Sequence, residues 1–319
     1  MSLIYFSHPD CLLHEMGEWH PESPARLHAI EDQLIASGLS GLIARRDAPL
    51  ATLDDIRRVH TDEAVERIRA HLPASGNADY RALDADTLLN AHSWQAALRA
   101  AGAAVAATDA VIAGEFSAAF CAVRPPGHHA TPDKSMGFCL FNNIAIAIRH
   151  ALAAHKLSRV AVVDFDVHHG NGTEAAFLDD PRVLMVSFFQ SPLYPYSGEY
   201  PQGMRPSHLV NIPVPAHTRG DRVRELIQRE WLPALHAHRP QMIFISAGFD
   251  AHREDELASM GLIESDYVWI TRQLVAVAAQ HAQGRIVSCL EGGYHLSALG
   301  RSVVAHLKAL SGLTQDSVA

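Results

Sequence analysis

The sequence predicts an α/β fold, a mostly parallel sheet of strands covered by helices on both faces. Three observations carry this. Short β-branched apolar runs recur along all 319 residues. Stretches with apolar residues spaced by three and four separate many of them. Loops rich in His, Asp and Gly follow directly after four of the runs. Alternating strands and helices of this kind build a sheet buried on both sides.

In chain order the apolar runs cover 3–6, 118–123, 160–165, 183–188, 209–214, 242–246 and 285–290. Helical spacing covers 144–154, 222–236 and 267–281. The alanine-rich stretch 95–114 carries Arg99 and Asp109, so it is expected as a helix packed on the sheet and not a membrane span. No repeat, low-complexity block or Pro/Gly/Ser linker interrupts the chain. One domain over 1–319 is expected, with a small polar tail over 311–319 that frays.

A net charge of −9 argues against nucleic acid as a partner. The four cysteines, Cys11, Cys121, Cys139 and Cys289, form no C-x-x-C pair, which suits a reducing compartment. The N-terminus has neither a basic region nor a long apolar run, so no signal peptide is expected and the cytoplasm is the expected location.

In open α/β sheets, ligands gather where loops leave the carboxyl ends of the strands. RPPGHH ends in His128 and His129, placed after the turn-permitting Gly127. Adjacent imidazoles suit proton transfer, although the tandem alone does not separate that role from two surface histidines. In VVDFDVHHGNG, an extended chain would turn residues 164, 166 and 168 to one side. Asp166 and His168 then become metal ligands, with Asp164 supporting a neighbour; Gly170 and Gly172 turn the chain into a helix near Thr173. ISAGFDAHRED puts Asp250 past a strand end, behind the flexible Gly248. EGGYHL presents Tyr294, whose phenol can donate to a developing oxyanion. Asp166, His168 and Asp250 together make a three-ligand set with an open position, the pattern of a catalytic Zn2+ site. The same oxygen and nitrogen donors would accept Fe2+ or Co2+.

These four motifs, with HPESPARL near the N-terminus, resemble the histone deacetylase family, including its bacterial amidohydrolase members, in order and through most of the chain. The resemblance implies the single-domain arginase/deacetylase fold, with a parallel sheet of about eight strands. It implies Zn2+ on Asp166, His168 and Asp250, His129 as general base, His128 as its electrostatic partner and Asp164 behind His128. It places Tyr294 on the acyl carbonyl, Phe138 and Tyr194 as tunnel walls, and Gly137 facing the scissile amide. Arg26 falls at an inner channel, and Leu257 at the rim position where polyamine-selective members carry an acid. A structural K+ is implied near Asp164, Asp166, His168, Ser187 and Phe188, mostly through carbonyls. Asn171 points to class II. Phe189 and Tyr194 depart from the usual His and Phe.

The expected reaction is hydrolysis of acetyl or other short acyl groups from acyl-lysine in proteins or peptides. An acetylpolyamine deacetylase and a non-catalytic acyl-lysine binder are the alternatives. A two-manganese ureohydrolase is disfavoured, because Asp250 is followed by Ala251 and His252 and supplies no D-x-D pair. Oligomeric state is not legible.

Overall fold

In the computed structural model, which describes residues 2–74, 80–201 and 203–313, the strands follow the chain as ten segments. They are β1 (Leu3–Ser7), β2 (Ala44–Asp47), β3 (Arg81–Ala82), β4 (Leu88–Leu89), β5 (Ala118–Cys121), β6 (Val160–Asp164), β7 (Val183–Gln190), β8 (Leu209–Val214), β9 (Ile243–Ala247) and β10 (Ile286–Leu290). Eight form one sheet in the order β2-β1-β5-β10-β9-β6-β7-β8. Every adjacent pair in it is parallel. β3 and β4 make a small antiparallel ribbon apart from it.

All seven apolar runs lie in strands, with ends displaced by two residues at most. β5, β6, β9 and β10 are buried at every position, as continuous apolar sequence between two helical layers requires. β2 is the sheet strand that apolar patterning does not find. Its sequence is ARRD, it is exposed throughout, and it closes one edge of the sheet, where charged side chains deter further pairing.

The expected helices are present as Asn143–Ala153 and Glu264–His281. The third begins as Gly220–Leu226, widens into a π turn over Ile227–Trp231 and continues as Leu232–His238. The π turn precedes Pro233, which has no N–H to donate, and it carries the fully buried Trp231, stacked on Phe188 at 5.6 Å between ring centroids. The alanine-rich helix runs Ser93–Ile112 and buries most of its alanines. Among the described residues, no helix is long and apolar enough to cross a membrane. The last helix, Leu296–Ser311, ends at Gly312 in a left-handed conformation. Of the tail expected over 311–319, residues 314–319 lie outside the described residues.

The strand order has one consequence for chemistry. β5, β10, β9 and β6 are consecutive neighbours, so the four loaded loops leave the sheet side by side although they are scattered through the sequence.

Candidate active site

β6 ends at Asp164 and the chain then bends, so residues 164, 166 and 168 do not align by strand alternation as the sequence suggests. Two Asx turns bring them together instead. Asp166 N–H donates to Asp164 Oδ1 at 3.1 Å, and His168 N–H donates to Asp166 Oδ1 at 2.9 Å. Asp250 enters from the loop after β9, and its Oδ1 accepts the Val167 N–H at 2.9 Å. Asp166 Oδ2 accepts the Gly292 N–H, from the loop after β10, at 2.8 Å.

Such close approach needs glycine. A Cβ on Gly248 would stand 2.1 Å from Asp166 Oδ2, and one on Gly292 would stand 2.0 Å from Asp250 Oδ2. Gly248 therefore serves by the space it leaves; its φ is not in the left-handed region, and flexibility is not its role.

Ligand atoms of Asp166, His168 and Asp250 all lie within 4.8 Å of one another. His168 Nδ1 is 3.0 Å from Asp166 Oδ1 and 3.2 Å from Asp250 Oδ2. Asp250 Oδ2 is buried without a well-formed hydrogen bond. Burial and the neighbouring Asp166 charge push the Asp250 carboxyl up to about 6. Two buried carboxylates converge on one imidazole nitrogen and leave a carboxylate oxygen orphaned, an arrangement of donors that a divalent cation would satisfy. The donor set thus fits a metal ion.

The tandem histidines face this group from the loop after β5. His128 Nδ1 lies 3.0 Å from Asp164 Oδ2. Burial opposes its charge, but the Asp166 and Asp164 carboxylates win and hold it well above the ordinary imidazole range. His129 Nδ1 lies 2.8 Å from Asn171 Oδ1, an acceptor, so Nδ1 carries the proton and Nε2 is bare. Burial, then the His128 and His168 charges, push His129 well below the ordinary range. Adjacent imidazoles are thereby driven to opposite protonation states.

Comparison with known proteins gives this arrangement a place. The sequence pattern of the histone deacetylase domain matches residues 20–310. The chain belongs to the histone deacetylase family. A histone deacetylase-like amidohydrolase of Pseudomonas aeruginosa is 38% identical over 99% of this chain and 86% of its own. A probable deacetylase of Archaeoglobus fulgidus is 37% identical over 98% of this chain and 87% of its own. The crystal structure of the HDA15 HD domain superposes with a TM-score of 0.90 at 33% identity, covering 98% of this chain and 88% of that one. The arginase/deacetylase fold expected from the motifs is the fold observed.

The remaining positions singled out by the histone deacetylase resemblance are spread around the same end of the sheet. Gly137 and Phe138 both have positive φ, 56° and 68°, and a Cβ on Gly137 would stand 2.5 Å from His129 Cδ2. Phe138 meets Tyr294 edge-on at 5.8 Å, and Tyr194 meets His129 edge-on at 5.2 Å. Leu257 borders a mouth pocket of about 500 Å³ with Pro21, Glu256 and Tyr294. Arg26 is fully buried 5.0 Å from the Tyr294 ring centroid, donating to Gly293 O at 2.7 Å and to the Glu291 carbonyl. Ser187 and Asp164 are register partners across β6 and β7, and Phe188 follows Ser187 in β7.

Sequence reading passes over two carboxylates here. Asp255 Oδ2 accepts the N–H groups of Tyr294 at 2.7 Å and His295 at 3.1 Å, which fixes the tyrosine loop. Glu291 is buried behind the tandem histidines. An acid placed directly after the apolar run 285–290 was the available signal for the second; Asp255 carried none. A second convergence, of Asp109, His150 and His155, lies away from these loops. Both imidazoles reach Asp109 Oδ1, at 2.7 and 2.6 Å, so the carboxylate is already occupied by hydrogen bonds. His150 Nδ1 is buried with no acceptor, the partner a metal-bound imidazole normally has.

Proposed function

We propose that this chain is a zinc-dependent deacetylase that hydrolyses acetyl or other short acyl amides on the side-chain amine of acyl-lysine in proteins or peptides. The observation that carries the reading is the pair of histidines, one against the Asp164 carboxylate and one against the Asn171 amide, beside the Asp166, His168 and Asp250 trio. A Zn2+ ion on that trio, or Fe2+ in its place, supplies Lewis-acid polarisation of the carbonyl and lowers the pKa of water.

The chain's own residues do the rest. Phe138 and Tyr194 flank the aliphatic stem, and Gly137 faces the amide. His129 Nε2 takes the proton of the attacking water. Tyr294, kept neutral chiefly by burial, donates its phenol proton to the developing oxyanion. His128, paired with Asp164, is the electrostatic partner of His129. The imidazolium formed when His129 takes the water proton returns it to the leaving amine as the C–N bond breaks. The proximity of Arg26 to the Tyr294 ring, 5.0 Å, supports its role at the inner channel that takes the released carboxylate. A K+ ion near Asp164, Asp166, His168, Ser187 and Phe188, class II character through Asn171, and a cytoplasmic location belong to the same reading.

Leu257 at the mouth supports acyl-lysine over acetylpolyamine, because the rim position carries no charge for a second ammonium; the exposed Glu256 beside it keeps the polyamine reading as the comparison. The test is a matched panel of acetyl-peptides and acetylpolyamines on zinc-loaded protein. Peptide turnover is expected. A large polyamine preference would overturn the substrate assignment, and no turnover of either would overturn the activity.

A further inference from the structure

We propose that Glu291 is a positioning residue for the tandem histidines, locking their loop onto the loops that carry Asp250 and Tyr294. This rests on the deacetylase reading above. Glu291 is the first residue past β10 and is fully buried. Its Oε2 accepts two main-chain donors, Gly127 N–H at 2.7 Å and His128 N–H at 3.1 Å. Its Oε1 accepts the Ser246 hydroxyl, in β9, at 3.2 Å. Its own N–H donates to Ala247 O at 3.0 Å, and its carbonyl accepts from Arg26 Nη2.

One side chain thus joins three strand ends that are far apart in sequence. Burial pushes the Glu291 carboxyl up to about 7, and the Gly127 and His128 N–H groups oppose that shift without cancelling it, so every donor it keeps counts. The donors are also the reason for its length. Gly127 and His128 are successive peptide units, and their N–H groups converge on one oxygen only while the loop keeps its observed curvature. A Cβ on Gly127 would stand 2.5 Å from Asn143 N, so the loop is pressed from the other side as well. The His128 main chain is therefore clamped, and its 3.0 Å contact with Asp164 inherits that precision. Displacement of such a group by an ångström costs about 100-fold in rate.

Reach and charge are separable. Glu291→Gln keeps the reach and loses the charge: its carbonyl oxygen can accept both N–H groups while its NH2 donates to Ser246 Oγ. Glu291→Asp keeps the charge and loses one methylene of reach. For positioning, Glu291→Gln should hold kcat within about threefold of wild type. Glu291→Asp should lose about 100-fold in kcat with KM little changed. Amide hydrogen exchange over residues 125–130 is read in parallel, with faster exchange expected in Glu291→Asp alone. That readout needs no substrate, so it judges Glu291 even if wild-type protein turns nothing over, an outcome that defeats only the deacetylase reading. Glu291→Asp equal to or better than Glu291→Gln in kcat, or exchange unchanged in Glu291→Asp, overturns the proposal.

Discussion

Asn171 Oδ1 accepts the His129 Nδ1 proton at 2.8 Å, so this imidazole is oriented by an amide and not by a carboxylate. A neutral acceptor fixes the tautomer without raising the imidazole pKa by a full charge. His129 lies below its ordinary 6.5, so its base form persists under acidification to below that pH. The acid limb of kcat/KM should fall below pH 6.5. In Asn171→Asp the added charge should move that limb upward by about one pH unit. A pH–rate profile of the two proteins reads both.

Tyr294 is held by Asp255 through main-chain N–H groups, so removing its hydroxyl leaves the loop in place. Tyr294→Phe should lower kcat by about 100- to 1,000-fold, with KM changed little. Steady-state kinetics on an acetyl-lysine peptide measures it.

The trio of Asp166, His168 and Asp250 should bind one divalent ion per chain. Chelation should abolish turnover and lower the melting temperature, because an ion that binds only the folded state stabilises it. Zn2+ or Co2+ should restore both. Asp250→Ala should lose stoichiometric metal after gel filtration, by elemental analysis.

Gly248→Ala places a methyl group where Asp166 Oδ2 now lies, 2.1 Å from the Cβ position. Overpacking of this kind costs about 1–3 kcal/mol. Here it should also weaken metal binding, because the displaced atom belongs to Asp166 of the proposed metal trio. Urea melts and metal titration separate the two effects.

His306 is fully buried between Thr271 Oγ1 at 2.7 Å and Ser288 Oγ at 3.0 Å, and burial pushes it down to about 3. The folded state keeps it neutral while the unfolded state takes up a proton below 6.5. Its contribution is therefore complete above pH 6.5 and is lost as pH falls from there towards 3. His306→Gln should flatten that decline by about 1.4 kcal/mol per pH unit. Denaturant melts at stepped pH test it.

By itself the sequence determined the strands, because apolar runs between two helical layers have little freedom to be anything else. It also singled out the residues proposed to carry chemistry, since Asp166, His168, Asp250, Tyr294 and the tandem histidines stand past strand ends where buried apolar sequence stops. The edge strand β2 escaped it, because a strand bonded on one side needs no apolar face. Tertiary structure alone decided the assembly. Strand order placed β5, β10, β9 and β6 side by side, a long-range pairing that no local pattern encodes. Asx turns, not strand alternation, converged Asp164, Asp166 and His168. Buried carboxylates that read as ordinary acids in sequence, Asp255 and Glu291, became the ties between loops, because their partners are main-chain N–H groups from distant segments.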